Sequence, residues 1–115
     1  MKDYASMSDF EINKSVADIA MNGAWHVKPS HPDNDTGGWL YGSNGIQTHE
    51  LPDYCNNPAD AWPIIVERKI NIEWHEWKNS KWMPFALNNA TAKSCYDANP
   101  LRAAMIVFLM MNGGE

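Results

Sequence analysis

Long apolar runs, paired cysteines and clustered basic residues are all scarce in this chain, and each shortage removes a class of function. The one sustained apolar stretch, Leu101 to Met111, is too short to span a bilayer, and the opening Met1-Lys2-Asp3-Tyr4-Ala5-Ser6 lacks the apolar core of a signal peptide. No membrane role and a cytosolic location are therefore expected. Cys55 and Cys95 are too few for a disulfide framework and sit in no paired metal-ligand spacing, so both are expected to be reduced and mainly structural. The Asn34-Asp35-Thr36 and Asn89-Ala90-Thr91 sequons then carry no glycosylation meaning. Nine Lys and Arg against fourteen Asp and Glu give a net charge of -5, which argues against general nucleic-acid binding because phosphate neutralisation needs clustered cations. Missing too are a GxxxxGK phosphate loop, a two-histidine helical zinc spacing and a recognisable Ser or Cys nucleophile motif. Asp33-Asn34-Asp35-Thr36-Gly37-Gly38 starts like a calcium loop, yet Asn44 stands where the bidentate Glu belongs. No catalytic residue, metal ligand or cofactor is assigned.

What is present begins at the other end of the chain. Asn99-Pro100-Leu101-Arg102 opens a helix that continues through Ala103-Ala104-Met105-Ile106-Val107-Phe108-Leu109, apolar on every side and so expected at the centre of the fold. At 115 residues the sequence suits a single domain over 1–115. Ser8-Asp9-Phe10-Glu11 has the capping-box form, and Ile12, Val16, Ile19 and Ala20 then fall on one face of an amphipathic helix stopped by Asn22-Gly23. Trp25-His26-Val27 reads as a short strand. Lys28 to Thr48, rich in Gly, Pro, Asn, Asp and Ser, reads as a long loop carrying Trp39, Leu40 and Tyr41.

Asn57-Pro58-Ala59-Asp60 predicts a short helix ending before Pro63, with the β-branched Ile64-Ile65-Val66 opening a strand. After a turn at Glu67-Arg68-Lys69, Ile70, Ile72 and Trp74 alternate with Asn71, Glu73 and His75 in the period of a half-buried strand. Lys78-Asn79-Ser80-Lys81 predicts a hairpin into a third strand from Trp82 to Leu87, which Pro84 places at an edge. The fold class expected is α+β, a small, mostly antiparallel sheet packed against the N-terminal amphipathic helix and the buried C-terminal helix.

Binding chemistry concentrates at the two Asn-Pro helix starts and the loop aromatics. A helix N-terminus offers free backbone N–H groups and a favourable dipole to an anion, Arg102 adds a cation to the second start, and Asn56, Asn57 and Asn99 add amide hydrogen bonds. Capping is the commoner use of Asn-Pro, and an ion pair from Arg102 to Asp53 or Asp97 is the competing structural reading. Six tryptophans cannot all be central in so small a core. Trp74 shares a strand face with Ile70 and Ile72 and is expected to pack, whereas Trp39 and Tyr41, with Trp62, are the candidate stacking contacts. His49-Glu50 and Glu73, His75 and Glu76 complete no metal or acid–base set.

Three phrases, Met7-Ser8-Asp9-Phe10-Glu11-Ile12-Asn13-Lys14, Asp53-Tyr54-Cys55-Asn56-Asn57-Pro58-Ala59-Asp60-Ala61-Trp62-Pro63-Ile64-Ile65 and Asn99-Pro100-Leu101-Arg102-Ala103-Ala104-Met105-Ile106-Val107, resemble the NinX-like family of tailed-phage and prophage accessory proteins. The resemblance implies a phage origin and expression in the cytoplasm of a bacterial host, and it implies no catalytic residue. In that setting the residues suggest a non-enzymatic module for a small nucleotide-type ligand, sequestering a host immune signal. Trp39, Tyr41, Asn56, Asn57, Trp62, Asn99 and Arg102 are its candidate contacts. The alternative is an inhibitor or adaptor that binds a host protein through an aromatic surface. Exposed aromatics and an edge strand also point to a homo-oligomer.

Overall fold

The computed structural model describes residues 3–21, 25–43 and 47–114. Ser8 and Glu11 form the reciprocal cap read from the sequence: the Ser8 hydroxyl accepts the Glu11 N–H at 3.1 Å, and Glu11 accepts the Ser8 N–H at 2.9 Å. Helix α1 (Asp9–Ala20) follows, with Ile12, Val16 and Ala17 fully buried along one side. The expected Asn22-Gly23 stop lies outside the described residues.

Strands β1 (Trp25–Val27), β2 (Leu40–Ser43) and β3 (Gln47–Glu50) form an antiparallel sheet in that order. The expectation of one loop from Lys28 to Thr48 is thus corrected. Its second half pairs, with Tyr41 opposite both His26 and His49, because Leu40 supplies a buried anchor and Gly42 lets the Trp25 indole lie directly on the backbone. A methyl group at residue 42 would meet that ring at 2.5 Å. What remains irregular is folded around Asn34, whose amide donates to the carbonyls of Lys28 and Gly38 and accepts from Thr36 and Gly37. The Asp33–Gly38 stretch is therefore an amide-centred turn; Asn44 lies outside the described residues.

Helix α2 (Pro58–Arg68) corrects a second expectation. Pro63 and the β-branched Ile64-Ile65-Val66 read as a helix end and a strand, yet the helix runs through them. An interior proline costs about 3 kcal/mol, but burying an aliphatic side chain returns about 1.5–3 kcal/mol, and both Ile64 and Ile65 are buried here. Lys69 ends the helix in the left-handed region, and the buried Asn88 amide donates to the terminal carbonyl of Arg68 at 2.9 Å.

Strands β4 (Ile70–Trp77), β5 (Lys81–Asn88) and β6 (Lys93–Tyr96) make a second antiparallel sheet, so two small sheets stand where one was expected. β5 is its middle strand, which overturns the edge position inferred from Pro84. The Pro84 carbonyl accepts from Asp97 just beyond the end of β6, and in an antiparallel strand the N and O of one residue point to the same side. The missing N–H thus faces the flank where β6 has run out and no bond to β4 is lost. Helix α3 (Pro100–Leu109) is the central pillar the sequence indicated. Every residue from Arg102 to Leu109 is buried, the β4–β6 sheet covers one side, and α1 and α2 pack on the others. No helix of the described residues is long and apolar enough to cross a membrane.

Candidate functional site

Asp9 and Asn13 lie one turn apart on α1 and face the segment between β3 and α2. Asn13 is buried and spans that junction, donating to Asp53 Oδ1 at 2.9 Å and accepting the Cys55 N–H at 3.0 Å. Asn56 donates to Asp9 Oδ2 at 3.1 Å and to Asp53, and Asn99 donates in turn to Asn56 Oδ1 at 3.0 Å and to the Cys55 carbonyl at 2.6 Å. The Asn99 side-chain oxygen also caps α3 through Leu101 N–H and Arg102 N–H. Asn57 caps α2 by accepting from Ala59. Both Asn-Pro starts therefore have the capping geometry.

Arg102 is occupied within the fold. Its Nε donates to Asp97 Oδ2 at 3.0 Å, one terminal nitrogen to Asp9 Oδ1 at 2.8 Å, and the other to the carbonyls of Tyr4 at 3.0 Å and Met7 at 2.7 Å. The residue is 9% exposed. Burial opposes its charge, but the hydrogen bonds it donates to Asp9 and Asp97 outweigh that and hold the guanidinium pKa above its usual value. An external anion would have to displace two carboxylates, so the geometry is that of the competing ion-pair reading, with Asp97 and Asp9 as partners.

Beside this network lies a shallow cleft of about 340 Å³ lined by Asp9, Phe10, Asn13, Trp39, Glu50, Leu51, Asp53 and Asn56. Trp39 forms an aromatic wall with Phe10, their ring centres 4.8 Å apart, and the Lys14 ammonium sits 4.8 Å from the Trp39 ring centre. The Trp39 carbonyl accepts the Leu51 N–H, which extends the β2–β3 ladder and fixes the wall to the sheet. Of the residues singled out from sequence, Trp39 and Asn56 share this cleft, and Asn99 and Arg102 stand behind it through hydrogen bonds to Asn56 and Asp9. Tyr41 packs instead on His49, and Trp62 stands 62% exposed on α2, neither of them lining the cleft. Phe10 and Asn13 were missed, while Glu50 was weighed only with His49 and Asp53 only as an ion-pair partner of Arg102. The one signal available was Asn13, a polar residue directly beside the apolar positions of α1.

The cleft offers acceptors more than donors. Asp9, Glu50 and Asp53 contribute carboxylates, while Arg102 is turned inward and Lys14 lies over rings. Such a surface suits a flat group bearing N–H donors better than a phosphate. The nearest thiol, Cys55, is fully buried with its pKa pushed up to about 12 by burial, which keeps it protonated. Among the described residues no group of three or more His, Cys, Asp and Glu is placed to hold a metal ion.

A second polar cluster lies on the open face of the β4–β6 sheet. His75 hydrogen-bonds Glu73 Oε1 at 2.9 Å through Nε2 and the Tyr96 hydroxyl at 2.6 Å through Nδ1, and its ring stacks on Phe85. Trp74, expected to pack with Ile70 and Ile72, is instead 56% exposed. It is on the predicted face, but on the edge strand, where its cross-strand partner Pro84 takes the buried position and the indole stays open.

Residues 3–112 match the model of the family described as Bacteriophage P22, NinX. No curated protein matches the chain. Among solved structures, a 2.0 Å crystal structure of a phage protein from Bacillus cereus ATCC 14579 superposes with a TM-score of 0.62 at 16% identity, covering 98% of this chain and 93% of that one. That likeness is one of fold.

Proposed function

The chain belongs to the bacteriophage P22 NinX family, and from that premise we propose that it is a phage accessory protein that binds a small nucleotide-type ligand without altering it. The ligand enters the Trp39 cleft base first. One observation carries this reading: Trp39, just before β2, and Asn56, in the turn before α2, meet in a cleft whose other polar groups are carboxylates and a buried amide. The ring of Trp39 supplies stacking, worth about 1–3 kcal/mol per base. Asp53, Glu50 and Asn56 read the N–H edge. Asn99 and Arg102 hold Asn56 and Asp9 in place and leave the phosphate towards water. Binding groups without an activated nucleophile suit sequestration of a host nucleotide-derived signal in the bacterial cytoplasm, since a sponge needs contacts and no turnover.

Isothermal titration of the protein with nucleosides and their 5′-phosphates tests this. A nucleoside with an exocyclic amine should bind, its phosphate should add no affinity, and Trp39→Ala should weaken binding at least tenfold, or about 1.4 kcal/mol. Ligand recovered after heating a saturated complex should be chemically intact. Absence of binding by every base-bearing compound at millimolar concentration, or recovery of cleaved product, would overturn the reading.

A further inference from the structure

The β4–β5 hairpin extends past its helical cover. On the side facing α3, Ile70, Ala86 and Pro84 are buried, whereas Trp74, opposite Pro84 on the edge strand, and Trp82 farther along are each 56% exposed. On the opposite side Trp77 and Tyr96 are both 43% exposed and pack edge to face at 5.2 Å. Aromatic surface thus stands on both sides of one projecting ribbon. Native proteins seldom leave so much large apolar surface open unless something covers it.

The strand order adds a second fact. β4 is an edge, and among the described residues no strand pairs with its outer side, so a row of backbone donors and acceptors about 26 Å long is unpaired there. Trp74 and Trp77 flank this same edge from opposite faces. A partner lying flat on the sheet covers one of them, while a strand added to the edge reaches both. The charges choose the occupant. Glu73 and Glu76 precede Lys78 and Lys81 on the ribbon, which makes this end locally neutral on a chain of net charge -5. Antiparallel pairing about a two-fold axis near the ribbon tip brings Glu73 and Glu76 of one copy towards the Lys78–Lys81 turn of the other, so the surface is complementary to itself.

We propose that a second copy of this chain docks antiparallel along the free edge of β4, joining two three-stranded sheets into one of six strands. The ribbon tips then cover each other's Trp74 and Trp77, and the concavity of about 510 Å³ formed by Glu76, Trp77, Lys78 and Lys81 lies within the contact. The inference is independent of the cleft.

Sedimentation equilibrium of the full chain decides it. The wild type should sediment as a dimer of about 26 kDa, twice the 13.0 kDa chain. Trp74→Glu with Trp77→Glu should give a monomer with an unchanged far-ultraviolet spectrum. A charge exchange provides a separate test that leaves the apolar surface intact. Glu73→Lys with Glu76→Lys, and Lys78→Glu with Lys81→Glu, should each be monomeric alone and should form a mixed dimer when combined. A wild type that stays monomeric at 100 micromolar, including one that instead captures a host protein, overturns the proposal. So does a charge-exchanged pair that fails to associate while both proteins are folded.

Discussion

Arg102→Met removes the guanidinium and keeps most of the apolar stem. The substitution strands the Met7 carbonyl, leaves the Tyr4 carbonyl to the Met7 N–H, and takes the cation from between Asp9 and Asp97. Breaking a buried ion pair from one side costs about 3–5 kcal/mol. The Asp9 side chain is 45% exposed and can regain water, so the lower end of that range, about 3 kcal/mol, is the better figure. For a chain of this length a kilocalorie moves the thermal midpoint by about 4 °C, which gives a fall of about 12 °C. Differential scanning calorimetry and urea unfolding followed by tryptophan fluorescence measure it, and a cycle with Asp97→Asn should return a coupling of at least about 1 kcal/mol. A midpoint within about 3 °C of wild type would refute the structural assignment of Arg102. It would reopen the anion-site reading made from sequence.

Asn13→Ala should cost about 2 kcal/mol in urea unfolding, because the buried Cys55 N–H loses its acceptor while Asp53 loses a donor. Burial raises the Cys55 and Cys95 thiols to about 12 and about 11, and burial with Tyr41 and Asp60 nearby raises Tyr54 to about 12. Each folded-state pKa is above its unfolded value, so this stabilisation is complete below about pH 8.5 and lost as pH climbs towards 11–12; the urea midpoint should fall steadily across that window. The same shifts make both thiols slow towards Ellman's reagent at pH 8 in the folded protein and fast in urea. A midpoint flat to pH 11 would refute this. Gly42→Ala drives a methyl group into the Trp25 ring and should destabilise the β1–β3 sheet by about 1–2 kcal/mol, seen as a lowered midpoint and altered near-ultraviolet dichroism.

The elements legible in the sequence were those whose local chemistry and tertiary role agree. The Ser8–Glu11 box, the Asn99 cap and the all-round apolar run to Leu109 each say helix at every level, and each is one. Ile64-Ile65-Val66 was misread because β-branching and Pro63 argue locally for a strand, while the deciding term is burial against α3, a contact no local pattern displays. Pro84 was misplaced for a related reason: the rule about edges concerns which side of the strand needs a donor, and sequence does not say where β6 ends. Period-two alternation put Trp74 on the correct face but could not report that Pro84, its cross-strand partner, takes the buried position there. At the cleft, Trp39 and Asn56 were readable as residue types with binding chemistry. Their meeting, and the recruitment of Phe10, Asn13 and Asp53, depends on how α1 crosses the segment after β3.

The clasp between Arg102 and the carbonyls of Tyr4 and Met7 joins residues 95 to 98 positions apart. A ribosome makes the chain in one direction, and the pillar on which α1, α2 and the second sheet pack follows all of them in the chain. Until it emerges, Ile12, Val16, Ala61 and Ile65 have no surface to bury against, so the early elements cannot consolidate in the order of their synthesis. Consolidation of the fold therefore waits for α3, and the apolar faces of the earlier elements stay open to chaperones and proteases until it is released.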